Sequence, residues 1–208
     1  MLTSKQLSIF APFAADPFSE MTLKELKEAC GEKSNNAMSI AMKRFRAEGL
    51  LNEKKVGNST LFSLNFDTDS VYDYISLTNK DRLDKAESRI VHEVIAAATR
   101  STPFSCIVIF GSHAVSGHKK DSDLDIAVFV EGDAQKKKME IAMRTPEQLS
   151  VIPLDWHVFT RAEMMQMLTE EEENLGKQIT RKHIAVHNPK IFYGLIRAGI
   201  KKGFRPVE

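Results

Sequence analysis

The feature that most constrains this chain is a pair of acids at the start of a buried strand. Residues 110–129 read FGSHAVSGHKKDSDLDIAVF, and both ends are rich in Ile, Val and Phe. Runs of this kind are typical of buried β-strands. Asp123 and Asp125 nevertheless stand where the second strand should enter the core, and an unpaired buried carboxylate is costly. We therefore expect another group to compensate these two charges.

The spacing of the two acids suggests what that group is. Side chains alternate across a strand, so Asp123 and Asp125 should share one face while Leu124 and Ile126 enter the core. Neighbouring carboxylates resist joint ionisation unless a cation lies between them. Mg²⁺ prefers oxygen ligands and commonly takes one or two carboxylates plus substrate phosphates. We favour a metal site over the alternative, in which the strand simply begins at a polar turn.

The residues before the acids are suited to phosphate. Phe110 ends one strand, and Gly111 and Ser112 turn into a loop. Gly111 has no Cβ, so backbone N–H groups can approach a ligand closely, and Ser112 adds a hydroxyl donor. A helix that starts here would attract an anion through its N-terminus. Ser122, directly before the first acid, is a further candidate contact to the same ligand.

Together these residues resemble the motif of a known family. The run G-S-H-A followed by S-D-L-D-I-A-V resembles the nucleotidyltransferase signature of the DNA polymerase beta superfamily. It is most similar to the minimal nucleotidyltransferases, which are abundant in prokaryotes, especially archaea. The likeness covers about residues 88–200. It implies that the Gly-Ser turn binds the phosphates of ATP or another nucleoside triphosphate, and that Asp123 and Asp125 hold Mg²⁺ or Mn²⁺.

The resemblance also implies a third acid and exposes one departure. Asp155, which interrupts the apolar strand PLDWHVFT, matches the third acid that completes the site. Family members usually read G-S-x-A-R-G at the turn, whereas Ala114 is followed here by Val, Ser and Gly. The basic residue is therefore missing. Either His113, His118, Lys119 and Lys120 supply the positive charge instead, or the activity is weakened or lost.

Residues 1–66 predict a separate unit. Two helices precede SNNAMSIAMKRFRAEGLL, a third helix capped by Ser34 or Asn35, and NEKKVGNSTLFSLNF follows as two strands around a Gly57-Asn58 turn. Three helices and a hairpin in this order predict a winged helix-turn-helix. Residues 67–87 are the predicted linker, and residues 88–208 the nucleotidyltransferase domain. The predicted class is α+β, with a small mixed sheet in the second domain.

Double-stranded DNA is the partner that a winged helix suggests, with contacts from the start of the third helix, its exposed face and the wing. The candidate contacts are Asn35, Asn36, Lys43, Arg44, Lys54 and Lys55. Acids nearly balance the bases in this unit, and winged helices also bind proteins, so a protein-contacting role stays open.

The composition limits the other classes of function. The net charge of the 208 residues is only +1, so any nucleic-acid contact must come from a local patch. The two cysteines form no zinc-binding spacing and fit a reducing cytoplasm. No uninterrupted apolar stretch approaches the ~20 residues that a membrane span needs. We expect a cytoplasmic protein without a membrane partner.

Three functional hypotheses follow. The first is an enzyme that moves a nucleoside monophosphate, AMP from ATP by resemblance, to an acceptor hydroxyl, with Asp123, Asp125 and Asp155 as catalytic residues and metal ligands. The second is a transcriptional regulator, often dimeric in this class, whose second domain only binds nucleotide. The third is an antitoxin-type nucleotidyltransferase that modifies a toxin partner.

Overall fold

The computed structural model describes residues 1–115 and 122–206, and its contacts divide the chain into the units Met1–Asn79 and Lys80–Glu208. The elements of the N-terminal unit, in chain order, are α1 (Ser4–Ala15), β1 (Met21–Thr22), α2 (Leu23–Ala29), α3 (Asn35–Ala47), β2 (Leu51–Val56), β3 (Ser59–Leu64) and α4 (Asp69–Lys80). The three strands are antiparallel in the order β1-β3-β2. The helices and the hairpin lie where the sequence predicts them, and the winged-helix assignment itself stays a prediction.

Local sequence accounts for these helix starts. Thr22 caps α2 and forms a reciprocal capping box with Glu25. Ser34, and not Asn35, caps α3 by accepting from the backbone of Ala37. Helix α1 includes Pro12 and ends at Ala15.

Helix α4 occupies much of the segment predicted as a linker. Val71, Tyr72, Tyr74 and Ile75 of this helix are buried. The Tyr74 ring lies edge-on to Phe10, with 6.0 Å between the ring centroids. These aromatic and aliphatic positions recur at helical spacing, so the segment packs into the first unit while its polar residues remain outside.

The elements of the C-terminal unit are α5 (Lys85–Ser101), β4 (Ser105–Phe110), a 3₁₀ turn (Gly111–Ala114), β5 (Leu124–Val130), α6 (Asp133–Leu149), β6 (Leu154–Thr160), α7 (Arg161–Thr169), α8 (Leu175–Arg181), β7 (His183–His187) and α9 (Pro189–Ile200). The strand order is β6-β5-β4-β7. Among the strands of the described residues in this unit, only β5 and β6 are parallel, so the predicted small mixed sheet is confirmed.

The two faces of this sheet have different coverings. Ile126 and Val128 of β5 pack with residues of α5 and α6, among them Val94 and Met139. On the other face Phe129 packs against Phe192 of α9, with 5.3 Å between the ring centroids. The sheet is therefore a middle layer between helices, which is an ordinary α/β arrangement.

From the sequence, AQKKKMEIAMRTPEQLS is predicted to be helical until near Pro146 and RAEMMQMLTEEEENLGKQIT to be a helix, and both predictions have wrong boundaries. Helix α6 does not stop near Pro146 but includes it and ends at Leu149. The segment from Arg161 onward is two helices and not one, because α8 starts afresh with Asn174 as its cap. Within residues 1–115 and 122–206, no helix is both long and apolar enough to cross a membrane.

Candidate functional site

The turn after β4 requires a glycine for two separate reasons. Gly111 has φ +67°, in the left-handed region that favours glycine. A Cβ at this position would also lie 2.0 Å from Oδ2 of Asp125. This contact arises because Phe110, the last residue of β4, is paired with Asp125 across the antiparallel ladder. The Gly-Ser turn and one predicted metal ligand are therefore in direct contact.

The sheet register places a second carboxylate beside the first. Asp125 of β5 and Asp155 of β6 are register partners in the parallel pair. Neighbouring strands lie ~4.8 Å apart, and register partners point to the same face. Asp123 directly precedes β5 and is exposed, as is Asp155, whereas Asp125 is partly buried. Leu124 and Ile126 are fully buried on the other face, as the alternation predicts.

The pKa of Asp125 reflects this clustering of carboxylates. Burial, and then the nearby Asp155 carboxylate, raise the pKa of Asp125 above its ordinary value of 3.8. Asp123 adds to the increase, while His113 and His157 act in the opposite direction. Negative charge is therefore concentrated at this rim of the sheet, and a cation bound there would relieve the repulsion.

His157 lies at this rim although the sequence motif does not identify it. His157 lies two positions after Asp155 on the same strand, so both face the same way. Its Nε2 is 3.6 Å from Oδ1 of Asp155. The ring is stacked on Phe159 and lies near Phe110, with centroid distances of 5.9 and 6.2 Å. The D-W-H spacing was the available signal, because a period of two puts the two polar residues on one face.

The His113 ring is bound by other groups of the protein. It is buried, with Nδ1 2.6 Å from Oε1 of Glu87. Its Nε2 lies 3.0 Å from both the carbonyl oxygen and the hydroxyl of Ser122. The ring thus joins helix α5 to both ends of the loop that separates the Gly-Ser turn from the acids. His118, Lys119 and Lys120, the other candidates for positive charge, lie outside the described residues.

A cleft opens beside the Gly-Ser turn and has a volume of about 560 Å³. Gly111, Ser112 and Asp125 form part of its lining. The remainder includes Arg181 and Lys182, which come from the junction of α8 and β7. The turn and one acid therefore face a space large enough for a small-molecule ligand.

The donor set at this rim fits a hard divalent cation. Asp123, Asp125 and Asp155 offer only carboxylate oxygens, the ligands that Mg²⁺ and Mn²⁺ accept. In the part of the chain that the structure describes, no three His, Cys, Asp or Glu side chains are already gathered around one metal position. The arrangement instead fits the common mode for Mg²⁺, with one or two carboxylates and the rest of the shell from substrate and water.

The predicted DNA-contacting residues lie on the N-terminal unit and differ in their pairing. Asn35 accepts a hydrogen bond from Lys27, with 2.6 Å between Oδ1 and Nζ. Arg44 is paired with Glu48, and Lys54 with Glu20. The remaining candidates, which are exposed and have no side-chain partner among the described residues, are Asn36, Lys43 and Lys55.

Comparison with known proteins agrees with this geometry. Residues 92–192 match the family described as Polymerase beta, Nucleotidyltransferase. The matched segment contains β4, the Gly-Ser turn, β5 and β6 and therefore every residue at the acidic rim. The match supports the nucleotidyltransferase superfamily for this part of the chain, as the motif predicted. Neither the curated proteins nor the solved structures that were compared gave a match.

Proposed function

We propose that the protein transfers a nucleoside monophosphate from a nucleoside triphosphate to an acceptor hydroxyl, with Mg²⁺ or Mn²⁺ as the metal. The observation that carries this proposal is the contact of the Asp125 carboxylate with Gly111, with Asp155 in register beside it. The turn proposed to bind phosphate and a pair of carboxylates thus meet at one rim of the sheet. ATP is the first donor to test, on the strength of the family resemblance.

In the proposed reaction the acceptor oxygen bonds to the α-phosphorus as the bond from that phosphorus to the α–β bridging oxygen breaks. Pyrophosphate leaves with the electron pair. Gly111 and Ser112 would hold the β- and γ-phosphates and so keep the leaving group in line. Asp155 would accept the proton of the acceptor hydroxyl. His157, whose Nε2 is 3.6 Å from Asp155, is placed to take part in that proton transfer.

The metal would be held by Asp123 and Asp125, with Asp155 as the third ligand. Bound there, a divalent ion would neutralise phosphate charge and lower the pKa of the acceptor hydroxyl. Ser122 would contribute less than the sequence suggests, because its hydroxyl already lies at hydrogen-bond distance from His113. We assign Ser122 to positioning of the loop before the first acid.

The test is transfer of label from ATP carrying ³²P at the α-phosphate, in the presence of Mg²⁺. The wild-type protein should label an acceptor, and Asp123→Asn combined with Asp125→Asn should abolish transfer. Asp133→Asn is the matched control, because Asp133 lies beyond the other end of β5. Equal labelling by the double variant and by the control would contradict the proposal. Gel separation also distinguishes a protein acceptor, such as a toxin partner, from a small molecule or a nucleic acid.

For the N-terminal unit we propose a winged helix that binds double-stranded DNA. The support is the exposed side of α3 and β2, where Asn36, Lys43 and Lys55 have no side-chain partner among the described residues. The ion pairs of Arg44 and Lys54 reduce the charge that these two residues can offer to phosphates. The missing basic residue after Ala114 keeps a regulator without turnover as the second candidate function.

DNA binding and nucleotidyl transfer can be tested separately. If the regulator hypothesis is correct, duplex DNA from the upstream region of the gene should be retained in a salt-dependent way, without any label transfer. The double change of Lys43→Glu and Lys55→Glu should weaken retention, while Lys33→Glu serves as an exposed control. Retention that is unaffected by the double change would contradict the assignment of α3 and the wing.

A further inference from the structure

The lining of the cleft beside the Gly-Ser turn carries charges of both signs. Asp125 lies there next to Gly111 and Ser112. The lining also includes Gln178, a hydrogen-bonding amide, and the cations of Arg181 and Lys182, which together form a basic wall. A ligand that fills this cleft would therefore meet both a carboxylate and positive charge.

The sheet register explains why the basic wall lies at this turn. His183, the first residue of β7, is paired with Phe110, the last residue of β4. Because the two strands are antiparallel, Lys182 and Gly111 are the next positions along the ladder, just beyond its end. The position of Lys182 is thus set by strand pairing, although about 70 residues of sequence separate it from the turn.

Helix α8 is also held firmly where it begins. Asn174 accepts from the backbone of Lys177 and so caps the helix. The Lys177 ammonium donates to backbone carbonyl oxygens of the preceding acidic segment, including that of Glu172 at 2.8 Å. Lys177 is buried, and these hydrogen bonds fix the segment that separates α7 from α8. Helix α8, which carries Arg181, is thus anchored at its start by these bonds, and the strand that follows it is paired with β4.

The two cations of the wall differ in their partners. Arg181 donates to both carboxylate oxygens of Glu173 at 2.9 Å. Both side chains are partly exposed, and exposed ion pairs of this kind contribute little to stability, so Arg181 can exchange Glu173 for another anion. Lys182 is exposed and has no side-chain partner within residues 1–115 and 122–206.

We infer that Lys182, assisted by Arg181, binds the terminal phosphates of the nucleoside triphosphate. These cations would supply the positive charge that the chain lacks after Ala114, from a part of the sequence well outside the Gly-Ser motif. The inference rests on the proposed function, because it places the polyphosphate tail in the same cleft. It also defines a specificity: the cleft should favour triphosphates over monophosphates, because a monophosphate lacks the β- and γ-phosphates that are proposed to lie at Gly111 and Ser112, next to Lys182.

The test is the affinity for ATP, for AMP and for inorganic tripolyphosphate, measured by calorimetry on the full chain. Lys182→Ala should weaken ATP and tripolyphosphate binding about tenfold, the effect of one charge-assisted hydrogen bond, and leave AMP unchanged. Lys137→Ala is the matched control, because Lys137 is exposed on α6, which covers the opposite face of the sheet. Glu173→Gln should tighten tripolyphosphate binding by removing the negative charge that pairs with Arg181.

The outcomes separate the inference from the proposed function. If wild type prefers ATP to AMP and Lys182→Ala keeps that preference, the inference is overturned and the proposed function stands. If tripolyphosphate binding is weakened by Lys182→Ala but not by Lys137→Ala, while no label transfer occurs, the basic wall is supported and the enzymatic proposal is contradicted. If wild type binds neither nucleotides nor tripolyphosphate, both are overturned.

Discussion

The two faces of the four-stranded sheet carry different tasks, and β5 contributes to both. On one face Ile126 and Val128 are fully buried under α5 and α6. On the other face Asp125 remains partly accessible at one end of the strand, while Phe129 packs against α9 at the other end. Alternation along a single strand thus keeps Ile126 and Val128 on the face opposite Asp125, the residue proposed to bind metal.

This difference shows how the fold tolerates a cluster of acids beside its core. The carboxylates of Asp125 and Asp155 occupy the end of the sheet where the Gly-Ser turn leaves a cleft. The neighbouring positions on the same strands, such as Leu124 and Val158, keep the opposite face apolar. Because the repulsion is confined to one rim, its cost falls on the proposed binding site and leaves the packing of the core intact.

The largest expected effect is on the apolar face. Ile126→Ala removes a fully buried side chain and should lower the free energy of unfolding by about 2–5 kcal/mol, as measured by urea denaturation. Label transfer per folded molecule should change little, because Ile126 points away from the cleft. A large loss of activity in the folded fraction, without loss of stability, would show that the two faces are not separate in function.

The next effect is at the Gly-Ser turn. Gly111→Ala should destabilise the protein by about 1–2 kcal/mol, because residues with a Cβ adopt positive φ at that cost. It should also impair nucleotide binding, since the new methyl group would displace the Asp125 carboxylate. Gly194→Ala is the control: this glycine lies in α9 with open space around its would-be Cβ, and alanine favours helix. Nucleotide binding that is equal in the two variants would contradict the assigned role of the turn.

The smallest expected effect tests the electrostatic repulsion among the carboxylates of the acidic rim. The folded protein holds the proton of Asp125 more tightly than the unfolded chain, because the pKa is raised above 3.8. Stability should therefore fall as the pH rises through the window from 3.8 to the folded pKa. Asp125→Asn should raise the melting temperature at pH 7 without metal, and this gain should disappear below about pH 3.8, where the carboxyl is protonated in both states.

The exposed Asp133 provides the comparison for this last variant. Asp133→Asn should give no such gain, because Asp133 does not belong to the acidic rim. Added Mg²⁺ should stabilise the wild type more than Asp125→Asn, since a bound ion favours the charged carboxylate. A melting temperature that is lower for Asp125→Asn at every pH would contradict the view that the rim is strained.

The sequence predicts the acidic rim well because its determinants are local. The alternation of Asp123, Leu124, Asp125 and Ile126 depends only on the period of a strand, and the need for glycine at the turn depends on one residue. Asp155 was predicted through the resemblance, and the structure places it in register with Asp125. The side chains of Asp125 and Asp155 lie at one rim because β5 and β6 pair as neighbours.

The basic wall could not be predicted in the same way. Lys182 approaches the turn through the pairing of β7 with β4, a contact between segments about 70 residues apart. No periodicity within the segment around Lys182 reports that pairing. The interruption between α7 and α8 was missed for a related reason. The acidic run by itself is compatible with a helix, but in the fold its backbone carbonyl oxygens accept hydrogen bonds from the buried Lys177 ammonium.

The measurement that tests the central claim most directly is a crystal structure with Mn²⁺ and a non-hydrolysable ATP analogue, in which the anomalous signal locates the metal. The account predicts a manganese peak within ~2.2 Å of an Asp125 carboxylate oxygen, with the phosphate tail against Gly111 and Ser112. A nucleotide bound elsewhere, or manganese without contact to any of the three aspartates, would contradict it.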